Sequence, residues 1–284
     1  MSIPARILRD LKALPTLPKA ALELNRILAD EDTSASDVAK VVETDPALTV
    51  NLLKVVNSAA VGLSREISSV RQAATLLGNR GVQRVVSVAI VGHVLPEVLP
   101  GYGLQTQEIW AHCAATAVFS ERLARRRDEV APDIAFTAGL LHDVGKLAVG
   151  AALEEVREDV IRDLQDGSLQ MIEQERRALG TDHTEVGGLL AQRWSLPASI
   201  AQSVRHHHEP SGADLKHQSL VQVVHIANGL AHVLGLGADV GEMHRTILPE
   251  VLEAQELDAD ALQHFMGETM DAVLTLIAEL PGRS

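Results

Sequence analysis

An all-α fold is expected for this chain on three grounds. Hydrophobic residues form 46% of its 284 positions, enough to fill a sizeable core. Aromatic residues are only 2% while Leu, Ala and Val dominate, a composition that favours helix packed on helix over a sheet sandwich. Capping residues recur at short intervals ahead of apolar positions at helical spacing, and strands have almost no support.

Leu14-Pro15-Thr16-Leu17-Pro18 interrupts any early helix, and residues 20–28 then form an amphipathic helix that stops at Asp30-Glu31-Asp32. Ser34 with Asp37 makes a weak capping box, Asp45-Pro46 offers an N-cap followed by proline at the first helical position, and Ser69 with Gln72 repeats the capping signature. The helix begun at Ser69 stops at Gly78, and a mostly apolar helix covers 81–95. Residues 96–103, with two prolines and two glycines, are the best linker candidate and place a subdomain boundary near residue 100. Beyond it, helices are expected over 107–127, 134–149, 153–167, 169–179, 184–194, 197–207 and 220–234, with a last pair near 247–255 and 259–280.

Composition excludes several classes of function. A formal charge of −13 argues against general attraction to nucleic-acid backbones, which depends on clustered Lys and Arg. The one basic run, Arg122 with Arg125-Arg126-Arg127, reads as a solvated helix end that complements the helix dipole. A single cysteine, Cys113, leaves no intramolecular disulfide, and residues 1–19 lack the makings of a secretion signal. Apolar runs such as 85–91 are far shorter than a membrane span. A soluble, cytoplasmic protein is expected.

Among twelve histidines, His93, His217, His232, His244 and His264 have no acidic or histidine partner at ligand spacing. Others do. Glu108 and His112 lie four apart on one helical face, His142-Asp143 ends an apolar stretch and precedes Gly145-Lys146, and Asp182-His183 and His206-His207-His208 follow. Imidazole and carboxylate groups delivered from several helices are what a divalent metal site inside a bundle requires, because one helix cannot surround an ion. Asp143 could bridge two ions, with His112 and His142 around one and His183, His207 and His208 around the other. Such residues also occur as ordinary polar helix ends, so both readings stand on pattern alone.

Leu140-Leu141-His142-Asp143-Val144-Gly145-Lys146 resembles the signature of the HD superfamily of metal-dependent phosphohydrolases, and the chain order His112, His142-Asp143, His183, His207-His208 is similar as well. Leu14-Pro15-x-Leu17-Pro18, Asp45-Pro46-Ala47-Leu48, Val55-Val56-Asn57-Ser58-Ala59 and Ile67-Ser68-Ser69-Val70 resemble the N-terminal helical lobe of HDOD domains. The resemblance spans roughly residues 10 to 235. It implies an HD-like helical bundle with an N-terminal lobe at 1–100, the metal-site bundle at 101–235, and C-terminal helices at 236–284 packing on the bundle.

Carried over by position, the resemblance implies metal ligation by His112, His142, Asp143, His183, His207 and His208, with Glu108 and Asn228 as weaker additions. Lys146 matches the lysine that follows the HD pair in many phosphodiesterase relatives, so Asp143 and Lys146 are the catalytic candidates if the site is active. His206 is the weakest of its triplet, since the family pair directly precedes Glu209-Pro210. One or two divalent ions are implied, with Fe, Mn, Zn and Mg as candidates.

Two departures matter. Asn228, in Val224-His225-Ile226-Ala227-Asn228, stands where the superfamily supplies its final metal-binding aspartate. An amide there removes one negative charge from the ligand set and weakens its hold on a hard dication. The paired histidines also run into Ser211-Gly212-Ala213-Asp214 with no Gly-Tyr-Pro motif, so the usual support for cyclic di-GMP hydrolysis is missing. The family thus implies regulation through contacts with signalling proteins or a nucleotide ligand. The alternative is an active phosphohydrolase on a nucleotide or cyclic dinucleotide.

Overall fold

The computed structural model describes residues 19–28, 32–57, 66–95, 97–158, 160, 170–237 and 247–278, and elements are numbered over these. Lys19–Leu28 (α1) covers the expected amphipathic helix, and Ala35–Val42 (α2), Pro46–Val56 (α3) and Val70–Val94 (α4) begin where their caps predict. The Ser34 side chain accepts from the Asp37 amide, and Ser69 from the Gln72 amide at 3.2 Å. The expected break at Gly78 is a kink inside α4, where φ of +66° and ψ of 176° leave the helical region. Asn57 fastens the end of α3 to the approach to α4: its Nδ2 donates to the carbonyls of Leu53 and Ile67, and its Oδ1 accepts from the Ile67 amide. Leu14 to Pro18, with Ser58 and Ala59, lie outside the described residues.

The segment after α4 differs from the expectation of a strandless linker. Val98–Leu99 (β1) and Leu104–Gln105 (β2) pair antiparallel around a 3-10 turn at Pro100–Tyr102. Gly103 takes the left-handed conformation that closes the turn, at φ +68°. Gly101 lies so close to the helix Lys146–Glu154 that a Cβ would sit 2.6 Å from the Gly150 carbonyl and 2.5 Å from Leu153 Cβ. The hairpin is therefore packed against the bundle rather than free in solvent.

Thr106–Ala124 (α5) is the axis of the bundle, with fifteen of its nineteen residues buried, as expected of a helix covered on all sides. Its alanines admit neighbours closely. Gly139 on Pro132–Leu141 (α6) leaves a gap so small that a Cβ would lie 2.7 Å from the Thr116 carbonyl. Met171–Leu179 (α8), His183–Arg193 (α9), Ala198–His206 (α10) and Leu215–Val233 (α11) complete the wall, with Lys146–Glu154 (α7) against α9. Pro249–Ala254 (α12) and Ala259–Ala278 (α13) close it, Trp110 Nε1 donating to the Ile277 carbonyl at 3.0 Å. The N-terminal lobe joins the bundle through α4 on α6.

The single helix expected over 134–149 is two helices. α6 ends at Leu141, four residues turn, and α7 starts at Lys146. The Val144 amide bonds the Leu141 carbonyl at 3.0 Å and the Lys146 amide bonds the Asp143 carbonyl at 2.9 Å, the i to i+3 pattern of a tightened turn. The helix expected over 153–167 falls mostly outside the described residues. Among the described residues, only the α6–turn–α7 stretch Pro132–Glu154 has the length and apolar composition of a membrane span, and 83% of its most apolar 18 residues are buried inside the protein. The basic run behaves as a helix end: Arg125 caps α5 and pairs with Glu121 at 2.8 Å.

Candidate metal centre

The tight approach of α5 and α6 sets His112 beside His142, with Nε2 atoms 3.2 Å apart. His112 Nδ1 faces the Leu236 carbonyl at 2.9 Å and His142 Nδ1 faces the Gly139 carbonyl at 2.8 Å. A carbonyl can only accept, so each neutral ring carries its proton on Nδ1 and presents a bare Nε2 lone pair inward. Two such lone pairs cannot bond each other. They require a shared cation or proton.

His207, at the C-terminal end of α10, has the same arrangement, donating Nδ1–H to the Val204 carbonyl at 2.9 Å. His183, at the start of α9, donates Nδ1–H to Glu175 at 2.7 Å and sets its Nε2 3.0 Å from that of His208. Asp143 stands between the two groups. Its Oδ1 lies 3.4 Å from His183 Nε2 and 3.5 Å from His207 Nε2, while its Oδ2 lies 3.4 Å from His142 Nε2 and 3.7 Å from His112 Nε2. Lys146 Nζ holds Oδ2 at 2.9 Å.

The donor set fits a divalent ion by its chemistry and its orphans. Asp143, His183, His207 and His208 can converge on one ion, and His112, His142 and Asp143 on another, the donor atoms in each group lying within 4.8 Å of one another. Asp143 Oδ1, His207 Nε2 and both amide atoms of Asn228 are buried without a hydrogen-bond partner among the described residues, an arrangement that costs free energy unless an ion or ligand satisfies it. Three imidazoles donating their outer N–H to a carbonyl and one to a carboxylate is the orienting pattern of histidine metal ligands.

Charge follows the same plan. Burial, reinforced by neighbouring His142, pulls His112 down to about 4 despite Asp143. Burial likewise takes His207 down to about 3, so both are neutral donors at physiological pH. Burial alone would raise Asp143, but His142 and Lys146 facing it hold its carboxyl well below the ordinary range. Burial also lowers His183, yet Glu175 beside it outweighs this and raises it overall. Cys113, next to His112, is pushed up to about 12 by burial, which keeps it a thiol and not a thiolate ligand.

Seven of the candidates therefore meet in one place: His112, His142, Asp143, Lys146, His183, His207 and His208. Asn228 is fully buried on α11, between His225, which bonds the His207 carbonyl at 2.7 Å, and His232, whose ring lies 4.5 Å from that of His112. Spacings of three and four residues put all three on one helical face. Glu108 is corrected. It is exposed, and its carboxylate accepts the Gln105 amide at 2.7 Å, so it serves as the N3 acid of the α5 capping box.

Sequence reasoning missed five supporting residues. Glu175 is fully buried and accepts from the His183 amide, His183 Nδ1 and the Tyr102 hydroxyl. Eight residues separate it from His183, and no local spacing signals the pair. His225 and His232 could have been found, since with Asn228 they repeat at helical spacing. Arg176, bound to Asp182 at 2.6 Å and Glu209 at 3.1 Å, ties the α9 N-cap to the segment carrying His208.

Gly145 is a steric requirement. A Cβ there would meet the His183 carbonyl at 1.8 Å and the Gly187 amide at 2.7 Å. Gly145→Ala is expected to push α7 off α9 and cost on the order of 3 kcal/mol or more, as overpacking does; denaturant unfolding would read it, and an unchanged midpoint would refute the contact.

Comparison with known proteins agrees with this architecture. The HDOD domain model matches residues 14–210. An uncharacterised protein of Treponema pallidum (strain Nichols) is 27% identical over 227 residues, covering 80% of this chain, which spans 44% of that protein's length. A solved structure of a candidate phosphohydrolase from Shewanella amazonensis SB2B superposes with a TM-score of 0.75 at 24% identity, over 96% of this chain and 97% of that one. A candidate signal transduction protein from Marinobacter aquaeolei VT8 gives a TM-score of 0.74 at 21% identity, over 97% of this chain and 61% of that one. With the HDOD model covering well over half of its length, and an HD-type His/Asp cluster at its centre, the chain belongs to the HDOD domain family.

Proposed function

We propose that this chain is a regulatory HDOD protein that holds divalent metal in the His/Asp cluster and acts through contacts with signalling proteins, without turning over a phosphoester. The observation that carries the reading is Asn228: a fully buried amide, unpartnered among the described residues, on the helix face turned toward the histidines. One carboxylate, Asp143, then serves both donor groups, and Lys146 already takes part of its charge.

His183, His207, His208 and Asp143 would hold one ion, and His112, His142 and Asp143, with the neutral Asn228, a second. The nitrogen-rich set suits Fe, Mn or Zn better than Mg. Divalent ions supply Lewis acidity toward phosphoryl oxygens when bound. The chain's own residues keep His112 and His207 deprotonated, fix the imidazole rings and place the Lys146 ammonium beside Asp143 for an anionic ligand.

A nucleotide and cyclic-dinucleotide panel with Mn, Fe, Zn and Mg tests the reading. No hydrolysis above an Asp143→Ala baseline is expected. Metal-dependent turnover that Asp143→Ala abolishes would overturn it in favour of a phosphohydrolase, the reading that Lys146 and the two donor groups favour. Asn228→Asp is expected to tighten metal binding by about tenfold through the added charge, measured by competition with a chromogenic chelator.

A further inference from the structure

Tyr102 is the chain's single tyrosine, and it meets the metal cluster at two points without being a candidate ligand. Its hydroxyl donates to Glu175 at 2.7 Å, the same carboxylate that accepts from His183 Nδ1. Its ring centre lies 5.2 Å from Lys146 Nζ, within cation–π range, and that ammonium is 2.9 Å from Asp143 Oδ2. The side chain is buried against α7, where a Cβ built on Gly150 would lie 3.8 Å from the ring. Tyr102 stands on the turn of the β1–β2 hairpin, and three residues separate β1 from the end of α4. One side chain thus touches the orienting partner of His183, the counter-charge of Asp143 and the segment that leads from the N-terminal lobe into the bundle.

We infer that Tyr102 is a positioning residue of the metal centre and that it couples loading of the cluster to the hairpin between lobe and bundle. The inference rests on the proposed metal-holding reading. In a loaded cluster the His183 N–H is a stronger donor and draws Glu175 toward the ring, at the expense of the Tyr102 hydroxyl. Positive charge at Asp143 weakens its hold on Lys146 and leaves the ammonium a stronger pull on the Tyr102 ring. Both shifts act on one residue. The hairpin amides around it register them, Gly103 bonding the Leu99 carbonyl and Thr106 the Glu97 carbonyl, each at 3.1 Å. Linkage is reciprocal, so the hydroxyl in turn contributes to the affinity for the ion.

A single tyrosine makes the test clean, because isotope-labelled tyrosine in the full chain gives the ring signals of Tyr102 alone. The chelator-stripped protein is titrated with Zn, which is diamagnetic, and followed by NMR. Zn affinity comes from competition with a chromogenic chelator, and amide hydrogen exchange over residues 97–106 is read on the same samples. The ring signals are expected to move to a new position as Zn saturates. Exchange over 97–106 should change by at least about threefold, and Tyr102→Phe, which keeps the ring and its packing, should bind Zn at least about threefold more weakly and lose most of the hairpin response. Zn that binds with ring signals and hairpin exchange unmoved would overturn the inference and leave the metal-holding reading intact. So would a Tyr102→Phe chain that matches the wild type in Zn affinity and hairpin response. No Zn uptake by the wild type would overturn both. The wild-type measurements decide the inference by themselves if the variant fails to fold.

Discussion

Asp143→Ala is expected to strip bound metal from the protein and to destabilise the metal-free chain by on the order of 3 kcal/mol. Both effects have one origin. Asp143 supplies an oxygen to each donor group and is 2.9 Å from Lys146 Nζ, with both side chains about 7% exposed. Removing the carboxylate leaves a buried ammonium with no counter-charge, the costly way to break an ion pair. Differential scanning calorimetry of chelator-treated samples reads the stability part, and elemental analysis the metal part. Lys146→Met should isolate the two: it removes the orphaned charge, so the double variant recovers stability without recovering metal. If Asp143→Ala retained wild-type metal, the bridging role would be wrong.

Glu175→Gln should lower metal affinity by about ten- to a hundredfold, the usual cost of losing the partner that orients a ligating imidazole. Glu175 takes three donors, two of them from His183, in a fully buried position. An amide can still accept from His183 Nδ1 but brings no charge, so ring orientation survives better than basicity. The variant also has a pH signature. In the wild-type chain Glu175 raises His183 above its usual value of 6.5 against the opposing effect of burial, and metal must displace the proton from His183 below that raised value. Affinity should therefore climb with pH through a window above about 6.5. Without the Glu175 charge, only Asp143 still opposes burial, and the climb moves to lower pH. Titrations across pH 5 to 9 would show it, and an unmoved profile would mean that another group governs metal uptake.

How far the sequence carried the account depends on the range of the interactions involved. Caps at Ser34, Asp45 and Ser69 are local, and the helices begin there. His142-Asp143-x-Gly145-Lys146 was legible as a unit because one turn carries it, although the turn itself was hidden: apolar periodicity runs straight through 134–149, and the close packing of Gly145 on His183 of a distant helix has no local signal. Hairpin pairing at Val98 and Leu104 was missed since two-residue strands have no period to detect. Glu108 misled because four-residue spacing to His112 is shared by ligand pairs and by the first turn of a capped helix, and here the Gln105 amide claims the carboxylate. Glu175 and Tyr102 were illegible for the opposite reason, being ordinary residues given a role by a tertiary contact at 2.7 Å.

These histidines and Asp143 are expected to hold metal in the isolated protein. Elemental analysis by inductively coupled plasma mass spectrometry, on the 284-residue chain without a polyhistidine tag and prepared both aerobically and anaerobically, measures this. Near-stoichiometric Fe, Mn or Zn that falls to background in Asp143→Ala is the predicted result. Metal-free wild-type protein under both conditions, with no uptake when those ions are supplied, would contradict it and leave the cluster as a hydrogen-bonded polar core.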